Sequence, residues 1–406
     1  MAGADAQRPT RRHVYVTQDY APDRGGIARM HVELCRRFAP NAMTVSTVDA
    51  AGARAFDAGE PYEIHRQPFT MRQAKTLVSQ LRWGRWLLRR RFDVLHCGNV
   101  RPVGYTVWWV ARHRAVPYVV YVYGGDLLRA RRGARRNVLK RWTARRIFAD
   151  AAAVIAISRW NAGLAADVMR EVGVVAPPPI AVIPLGTDPV QFAPERATGT
   201  VRARFGLGDA PLLLTVARLV PHKGQDVALS ALAQLGAEFP DLRYLIVGSG
   251  PDDARLRQLA AELGVADRVT FAGALSDGDI ADAYASASVY VGLSRVEQEK
   301  DAEGFGISFA EAAASGTPCV AGDSGGVPCA VRHGETGVLV PPTDVAAVVD
   351  ALRALLGDPA KRAAMARAAR ESAVTYYNWD RVARQTLELV RAVIERRPIP
   401  FAGGNA

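Results

Sequence analysis

The chain has 406 residues, 49% hydrophobic and 23% charged, a balance that belongs to a folded protein of two domains, not a disordered or fibrous one. No apolar run approaches the ~18 residues of a membrane-spanning helix, and the polar, arginine-bearing start does not read as a secretory signal. The net charge of +12 is uneven, +16 over residues 1–188 and −4 over the remainder, yet no recognised module interleaving aromatic and basic side chains is present, which sets nucleic acid aside as a partner.

From the N-terminus, short apolar runs alternate with longer amphipathic ones. The runs predict strands at His13–Thr17, Met43–Thr47, Val94–Cys97, Tyr118–Val122, Ala153–Ile157 and Ala181–Ile183. Between them lie helices at Ile27–Phe38, Met71–Arg91, Pro102–Arg112, Arg136–Phe148 and Arg159–Val172, the last with Ser158 as N-cap. The pattern pauses at Pro177–Pro179 and again over Phe192–Thr200. It restarts with strands at Leu212–Val216, Tyr244–Val247, Val269–Ala272, Val289–Gly292, Pro318–Ala321 and Gly337–Val340, and Asn378 opens a last amphipathic helix that runs to about Ile394. Such alternation predicts two α/β, doubly wound, Rossmann-like domains with parallel sheets, and ligands beyond the C-terminal strand ends, in the cleft between the domains. The expected division is 1–188, 189–376 and a C-terminal helix and tail at 377–406.

The chemistry concentrates in the second half. Glu303-Gly304-Phe305-Gly306-Ile307-Ser308-Phe309-Ala310-Glu311 sets two carboxylates eight positions apart around a helix start near Phe305. Gly304, Phe305, Gly306 and Ile307 bring backbone N–H groups to a ligand, since a helix start is an anion site and glycine permits close approach. Arg218 and Lys223 follow the strand Leu212–Val216. Two cations at a strand exit and a helix start flanked by carboxylates suit a sugar diphosphate. The cations hold phosphate, Glu311 accepts from ribose hydroxyls, and Glu303 holds a hydroxyl of the sugar. In the first half, Gly25-Gly26 reads as a tight turn with N–H groups facing the ligand, and Tyr123-Gly-Gly-Asp126 follows a strand end.

In this order and spacing the chain resembles the large family of retaining, nucleotide-sugar-dependent glycosyltransferases with the GT-B fold, which includes bacterial mannosyl-, glucosyl- and N-acetylglucosaminyltransferases. The resemblance rests on Glu303 and Glu311, Arg218 and Lys223, and Gly25 and Gly26. It also rests on Ile183-Pro-Leu-Gly-Thr-Asp188, Val247-Gly-Ser-Gly-Pro251, Ser324-Gly-Gly-Val-Pro328 and Gly334-Glu-Thr-Gly337, and runs from about His13 to about Val393. It implies transfer of a hexosyl group from a UDP- or GDP-sugar to an acceptor hydroxyl with retention. Attack comes from the front face and the leaving phosphate takes the acceptor proton. The acceptor is a lipid-linked sugar, another glycan or a small molecule such as a natural product. The last helix is implied to cross back to the N-terminal domain, which holds the acceptor. Many relatives carry histidine where Tyr123 stands, so two readings stay open: Tyr123 donates through its hydroxyl near the diphosphate, or Asp126 binds a sugar. A catalytically degenerate sugar-nucleotide-binding protein is the alternative. A phosphorylase is disfavoured, because its cofactor-lysine pattern is missing.

No cofactor and no metal are expected. His13, His65, His96, His113, His222 and His333 lie apart from carboxylate clusters and no Asp-x-Asp motif occurs, so Arg218, Lys223 and the helix dipole stand in for a cation. Cys35, Cys97, Cys319 and Cys329 are scattered, which fits a reducing cytoplasm. The segment Leu81–Phe92 holds two tryptophans and five arginines. As a helix it places Trp83, Trp86 and Leu87 on one face, which predicts contact with an anionic surface on the inner face of the cell membrane. The competing expectation packs the tryptophans into the core and leaves a soluble enzyme with a soluble acceptor.

Overall fold

A computed structural model describes residues 11–23, 25–297 and 301–403. They pack as two units, one formed by 1–183 with 382–406 and the other by 184–381. The chain leaves the first unit between the two pauses in the sequence pattern and re-enters it within the last helix, Trp379–Ile394. Arg381 donates to the carbonyls of Pro184 (2.5 Å) and Leu185 (3.2 Å), and the Thr187 N–H donates to the Tyr377 carbonyl (2.9 Å). These bonds tie Pro184–Thr187 and Tyr377–Arg381 into one body.

The first unit contains seven strands, β1 (His13–Val16), β2 (Met43–Val48), β3 (Glu63–Gln67), β4 (Val94–Cys97), β5 (Tyr118–Val122), β6 (Ala153–Ala156) and β7 (Ile180–Val182). They form one sheet in the order β3-β2-β1-β4-β5-β6-β7, and every pairing is parallel. Helices cover both faces, so the central strands are buried throughout and read as unbroken apolar runs. Strand β3 was not foreseen. Its sequence, Glu-Ile-His-Arg-Gln, holds one apolar residue, the composition of an edge strand whose polar side chains discourage further pairing. The helix Gly125–Arg136 was also missed, because arginine fills much of it and the expected helix began only at its end. Beyond Val382 the chain belongs to this unit again, and Ala402 bridges antiparallel to Ala181 in β7.

The face expected to meet a membrane is a core face. In the helix Leu77–Leu88, Trp83 and Leu87 are fully buried, and the Trp83 indole donates to Ser46 Oγ (2.8 Å). Trp86 is partly covered, stacked on His65 at 3.9 Å with the Arg90 guanidinium 4.7 Å from its ring.

The second unit holds β8 (Leu212–Val216), β9 (Arg243–Val247), β10 (Val269–Gly273), β11 (Val289–Gly292), β12 (Cys319–Gly322) and β13 (Gly337–Val340). They form a second all-parallel sheet, ordered β10-β9-β8-β11-β12-β13. The chain winds outward from β8 to β10, then returns to place β11 on the other side of β8. The loops after β8 and β11 therefore diverge, and the crevice they leave lies beyond the C-terminal strand ends. In the first unit the same reversal falls between β1 and β4.

Three buried histidines make the first unit sensitive to acid. His13 Nδ1 lies 3.0 Å from His96 Nε2, and His96 Nδ1 lies 2.9 Å from the Tyr121 hydroxyl. Burial lowers His13 from 6.5 to about 4, partly opposed by Asp93. It lowers His31 to about 4 and His96 well below its ordinary value. The unfolded chain therefore binds protons that the folded one refuses. The stability these groups contribute is complete above about pH 6.5 and is lost as the pH falls toward 4, on the order of 3 kcal/mol for His13. The raised carboxyls of Asp19 and Asp126 act in the opposite sense. Six of the seven tryptophans lie in residues 1–183, so indole emission reports mainly on this unit. In urea melts followed by that emission, His13→Asn should narrow its stability deficit against wild type as the pH drops from 7 to 4.5. Parallel curves would disprove the assignment.

Candidate functional site

Beyond β8, the Pro221–Lys223 turn presents Lys223, and its ammonium pairs with the Glu303 carboxylate from the segment after β11. Burial acts to raise the Glu303 pKa, but the Lys223 charge and hydrogen bond, His222 and the Gly304 N–H outweigh it and hold the carboxyl below its ordinary value. Glu303 is thus an ionised acceptor at neutral pH. Arg218 is exposed at the exit of β8, and its guanidinium has no hydrogen-bond or ion-pair partner among the described residues. Buried His222 has its pKa lowered by burial and by Lys223, so it stays neutral beside the two cations.

Gly306 caps the helix Ile307–Ala314 with φ +90° and no side-chain acceptor, which leaves first-turn N–H groups for a ligand. A Cβ at Gly306 would lie 2.5 Å from the Phe309 ring. The expected start near Phe305 was two residues early, because the left-handed Gly306 delays the helix. Phe305 itself turns into the core, 5.9 Å from the Tyr377 ring centroid. Glu311, one turn further on, is buried and accepts a hydrogen bond from the Tyr284 hydroxyl (2.9 Å).

The Glu303 loop is held from behind by the Ser324-Gly-Gly segment. The Gly326 N–H donates to the Glu303 carbonyl (2.8 Å). Gly325 has φ +59°, and a Cβ there would lie 2.5 Å from the same oxygen. The structure thus gathers Arg218, Lys223, Glu303, Gly304, Gly306, Ile307 and Glu311 around the reversal between β8 and β11.

In the first unit the predicted residues also follow strand ends. Gly25 is not a tight turn. It has extended backbone, φ −175°, and is the N-cap of the helix Gly26–Cys35, where the Arg29 N–H donates to the Gly25 carbonyl (2.9 Å). The turn reading failed because the helix begins directly at Gly26. Tyr123 is buried and its hydroxyl lies 2.7 Å from His31 Nε2. His31 Nδ1 lies 2.6 Å from the Asp19 carbonyl, which can only accept. Neutral His31 therefore carries its proton on Nδ1, and the Tyr123 hydroxyl donates to Nε2. Asp126 is buried; its Oδ1 accepts from the Tyr123 N–H (2.9 Å), and burial pushes its pKa up. Asp126 thus closes the N-terminal turn of the helix Gly125–Arg136.

Sequence reasoning missed His31, Asp19, Asn99 and Tyr284. Asn99 ties the β1 and β4 exits together, accepting from Thr17 Oγ (2.9 Å) and donating to Asp19 Oδ2 (2.7 Å). His31 carried a signal, a single imidazole on the buried side of the helix after Gly25-Gly26. Tyr284 carried none, since 27 residues separate it from Glu311. Among the described residues no group of three His, Cys, Asp or Glu side chains forms a metal-ion site.

Comparisons with known proteins bear on the family and the fold. The profile of the family described as "Glycosyl transferases group 1" matches residues 200–372, and that of "Glycosyltransferase Family 4" matches residues 24–191. The GDP-mannose-dependent alpha-(1-6)-phosphatidylinositol monomannoside mannosyltransferase of Mycolicibacterium smegmatis is 32% identical over 388 residues, covering 94% of this chain and 99% of its own. The D-inositol 3-phosphate glycosyltransferase of Streptomyces avermitilis is 38% identical over 226 residues, 53% of this chain and 47% of that protein. Among solved structures, Anabaena HepE in complex with UDP and glucose superposes with a TM-score of 0.76 at 19% identity, covering 94% of this chain and all (100%) of that one. Sucrose-phosphate synthase from Thermosynechococcus elongatus superposes with a TM-score of 0.77 at 23% identity, covering 95% and 100%.

Two Rossmann-like units, the matching family profiles and these relatives define a nucleotide-sugar glycosyltransferase of the GT-B fold. The chain belongs to the group 1 glycosyltransferase family.

The support behind Glu303 is open to test. Gly325→Ala should lower stability by about 1–3 kcal/mol, through its left-handed φ and its approach to the Glu303 carbonyl, and should weaken nucleotide binding. Gly334→Ala is the control, because Gly334 has φ +77° but open space where Cβ would stand. Thermal unfolding and nucleotide titration compare the two. Equal behaviour would show that the loop does not rest on Gly325.

Proposed function

We propose that this enzyme transfers a mannosyl group from GDP-mannose to a hydroxyl of an inositol phosphate-bearing, lipid-linked acceptor, with retention and without a metal ion. The observation that carries the chemistry is the Lys223–Glu303 pair beside exposed Arg218 and the open helix start at Gly306. Donor and acceptor classes draw support from the relatives. The M. smegmatis mannosyltransferase, matched over nearly its whole length, is GDP-mannose-dependent, and both its name and that of the S. avermitilis enzyme contain inositol. The basic first half suits such an anionic acceptor.

In this reading Lys223, Arg218 and the first-turn N–H groups neutralise the diphosphate, and they stabilise the charge that grows on it as the glycosidic bond breaks. Glu311 accepts from ribose and Glu303 from a hydroxyl of the transferred sugar. Glu303, ionised and paired, orients the sugar and is not a nucleophile. The acceptor hydroxyl attacks the anomeric carbon from the face that the diphosphate leaves, and its proton passes to the departing phosphate oxygen. The first unit binds the acceptor and acts at the membrane surface.

Lys223→Ala and Arg218→Ala should each lower kcat/KM by roughly 10²–10³, the loss expected when a charge-stabilising group is removed from a transition state, while circular dichroism stays unchanged. Near-normal turnover in both variants would refute the phosphate assignment. GDP should raise the melting temperature more than UDP at equal concentration; the reverse order would replace the donor. Turnover should survive excess EDTA, and loss restored by Mg²⁺ or Mn²⁺ would overturn the metal-free mechanism.

A further inference from the structure

Ten large apolar side chains are exposed among the described residues, and six of them sit near the starts of two helices of the first unit. Leu77 (74% exposed), Val78 (60%) and Leu81 (40%) open the helix Leu77–Leu88. Val138 (84%), Leu139 (68%) and Trp142 (45%) open the helix Val138–Ala149. Ordinary surfaces scatter such residues singly; here they are gathered.

Both helices flank the helix Val103–Arg114 and start at the same end of the sheet. Thr106, in the first turn of Val103–Arg114, donates to the Gln80 carbonyl (3.0 Å). Arg101, just before that turn, donates to the Lys140 carbonyl, and Trp108 meets Trp142 edge-on at 5.7 Å. Val103–Arg114 begins after the C-terminal end of β4, so both apolar starts lie at the strand-end edge that carries Tyr123 and Gly25.

The polar residues around these side chains are cationic. Arg82 and Arg85 continue the exposed face of the first helix, and Lys140, Arg141, Arg145 and Arg146 surround that of the second. Arg82, Arg85, Arg141 and Arg145 have no carboxylate partner among the described residues. No Asp or Glu occurs in residues 64–92 or 127–149. Exposed Leu, Val and Trp beside unpaired arginines describe a surface that enters the headgroup layer of an anionic bilayer, with cations drawn to the lipid phosphates. A protein partner would have to bring its own carboxylates to the same arginines.

We propose that Leu77, Val78 and Leu81, together with Val138, Leu139 and Trp142, insert into an anionic lipid surface and set the strand-end edge of the first unit against it. This rests on the membrane reading above but names a different surface from the buried Trp83–Leu87 face. The test is co-sedimentation of the full chain with phosphatidylglycerol–phosphatidylcholine vesicles and with phosphatidylcholine alone. Three proteins are compared: wild type, Leu77→Ser/Val78→Ser/Leu81→Ser, and Val138→Ser/Leu139→Ser/Trp142→Ala. Hydrolysis of the donor nucleotide-sugar, which needs no lipid, is measured alongside as a control of folding.

Wild type should bind only the anionic vesicles, less so in high salt. Each triple variant should lose about tenfold in partitioning and keep its donor hydrolysis. Anionic-vesicle binding that both variants retain would overturn this surface and leave the membrane reading standing. No binding by wild type at low salt would overturn both, while donor hydrolysis judges the transferase chemistry separately. A wild-type dimer that the variants break, with no vesicle binding, would reassign the surface to a second copy of the chain.

Discussion

The site of the second unit depends on one ion pair between residues 80 positions apart, Lys223 and Glu303. Neither is placed by its neighbours in sequence. Lys223 is carried by the exit of β8 and Glu303 by the segment after β11, and they meet because β8 and β11 are adjacent while the chain runs away from them in opposite directions. A parallel sheet needs a crossover for every pairing, so the loops at its strand ends open only where the winding reverses. The pair also keeps Glu303 ionised against the cost of burial. The geometry of the sheet and the protonation of the site are therefore two results of one contact.

Much of this was legible in the sequence for a physical reason. Strands inside a covered sheet are largely apolar, so β4, β5, β8 and β11 emerge with their boundaries as expected, and so does the edge strand β13, whose Gly-Val-Leu-Val is apolar too. What failed to emerge obeys other rules. Edge strand β3 has one free side and is written in polar residues. Gly125–Arg136 buries a narrow stripe beneath arginines, so composition hid its period. Trp83, Trp86 and Leu87 do share a face, but periodicity says only that a face exists, not whether core or lipid covers it. The site divided in the same way. Residues on one short segment were readable together, whereas partners supplied by the fold, such as Tyr284 for Glu311 and His31 for Tyr123, need the sheet to bring them near.

The two units treat buried polar chemistry differently. In the first, His13, His96 and Tyr121 form one buried hydrogen-bonded set and His31 and Tyr123 another, and burial keeps each imidazole neutral. Such a network is sound only while every member is satisfied, which ties the unit to near-neutral conditions. In the second, ion pairs also lie nearer the surface, where Asp226 pairs with Arg295 (3.0 Å) and Arg255 with Asp252 (2.6 Å). Partly exposed pairs tolerate changes of pH and salt with small losses.

Gly25 shows what the fold leaves undecided. Its backbone is extended, a conformation open to any residue, and the space where a Cβ would stand is empty to 4 Å. Glycine there leaves the unfolded chain conformational freedom that alanine would not, and no contact among the described residues requires it. The sheet, the helix start and the core would accept a larger residue. The described residues give no folding reason for glycine at this position. Position 25 thus stands apart from Gly306 and Gly325, where a left-handed backbone and a crowded Cβ position make glycine a demand of the fold itself.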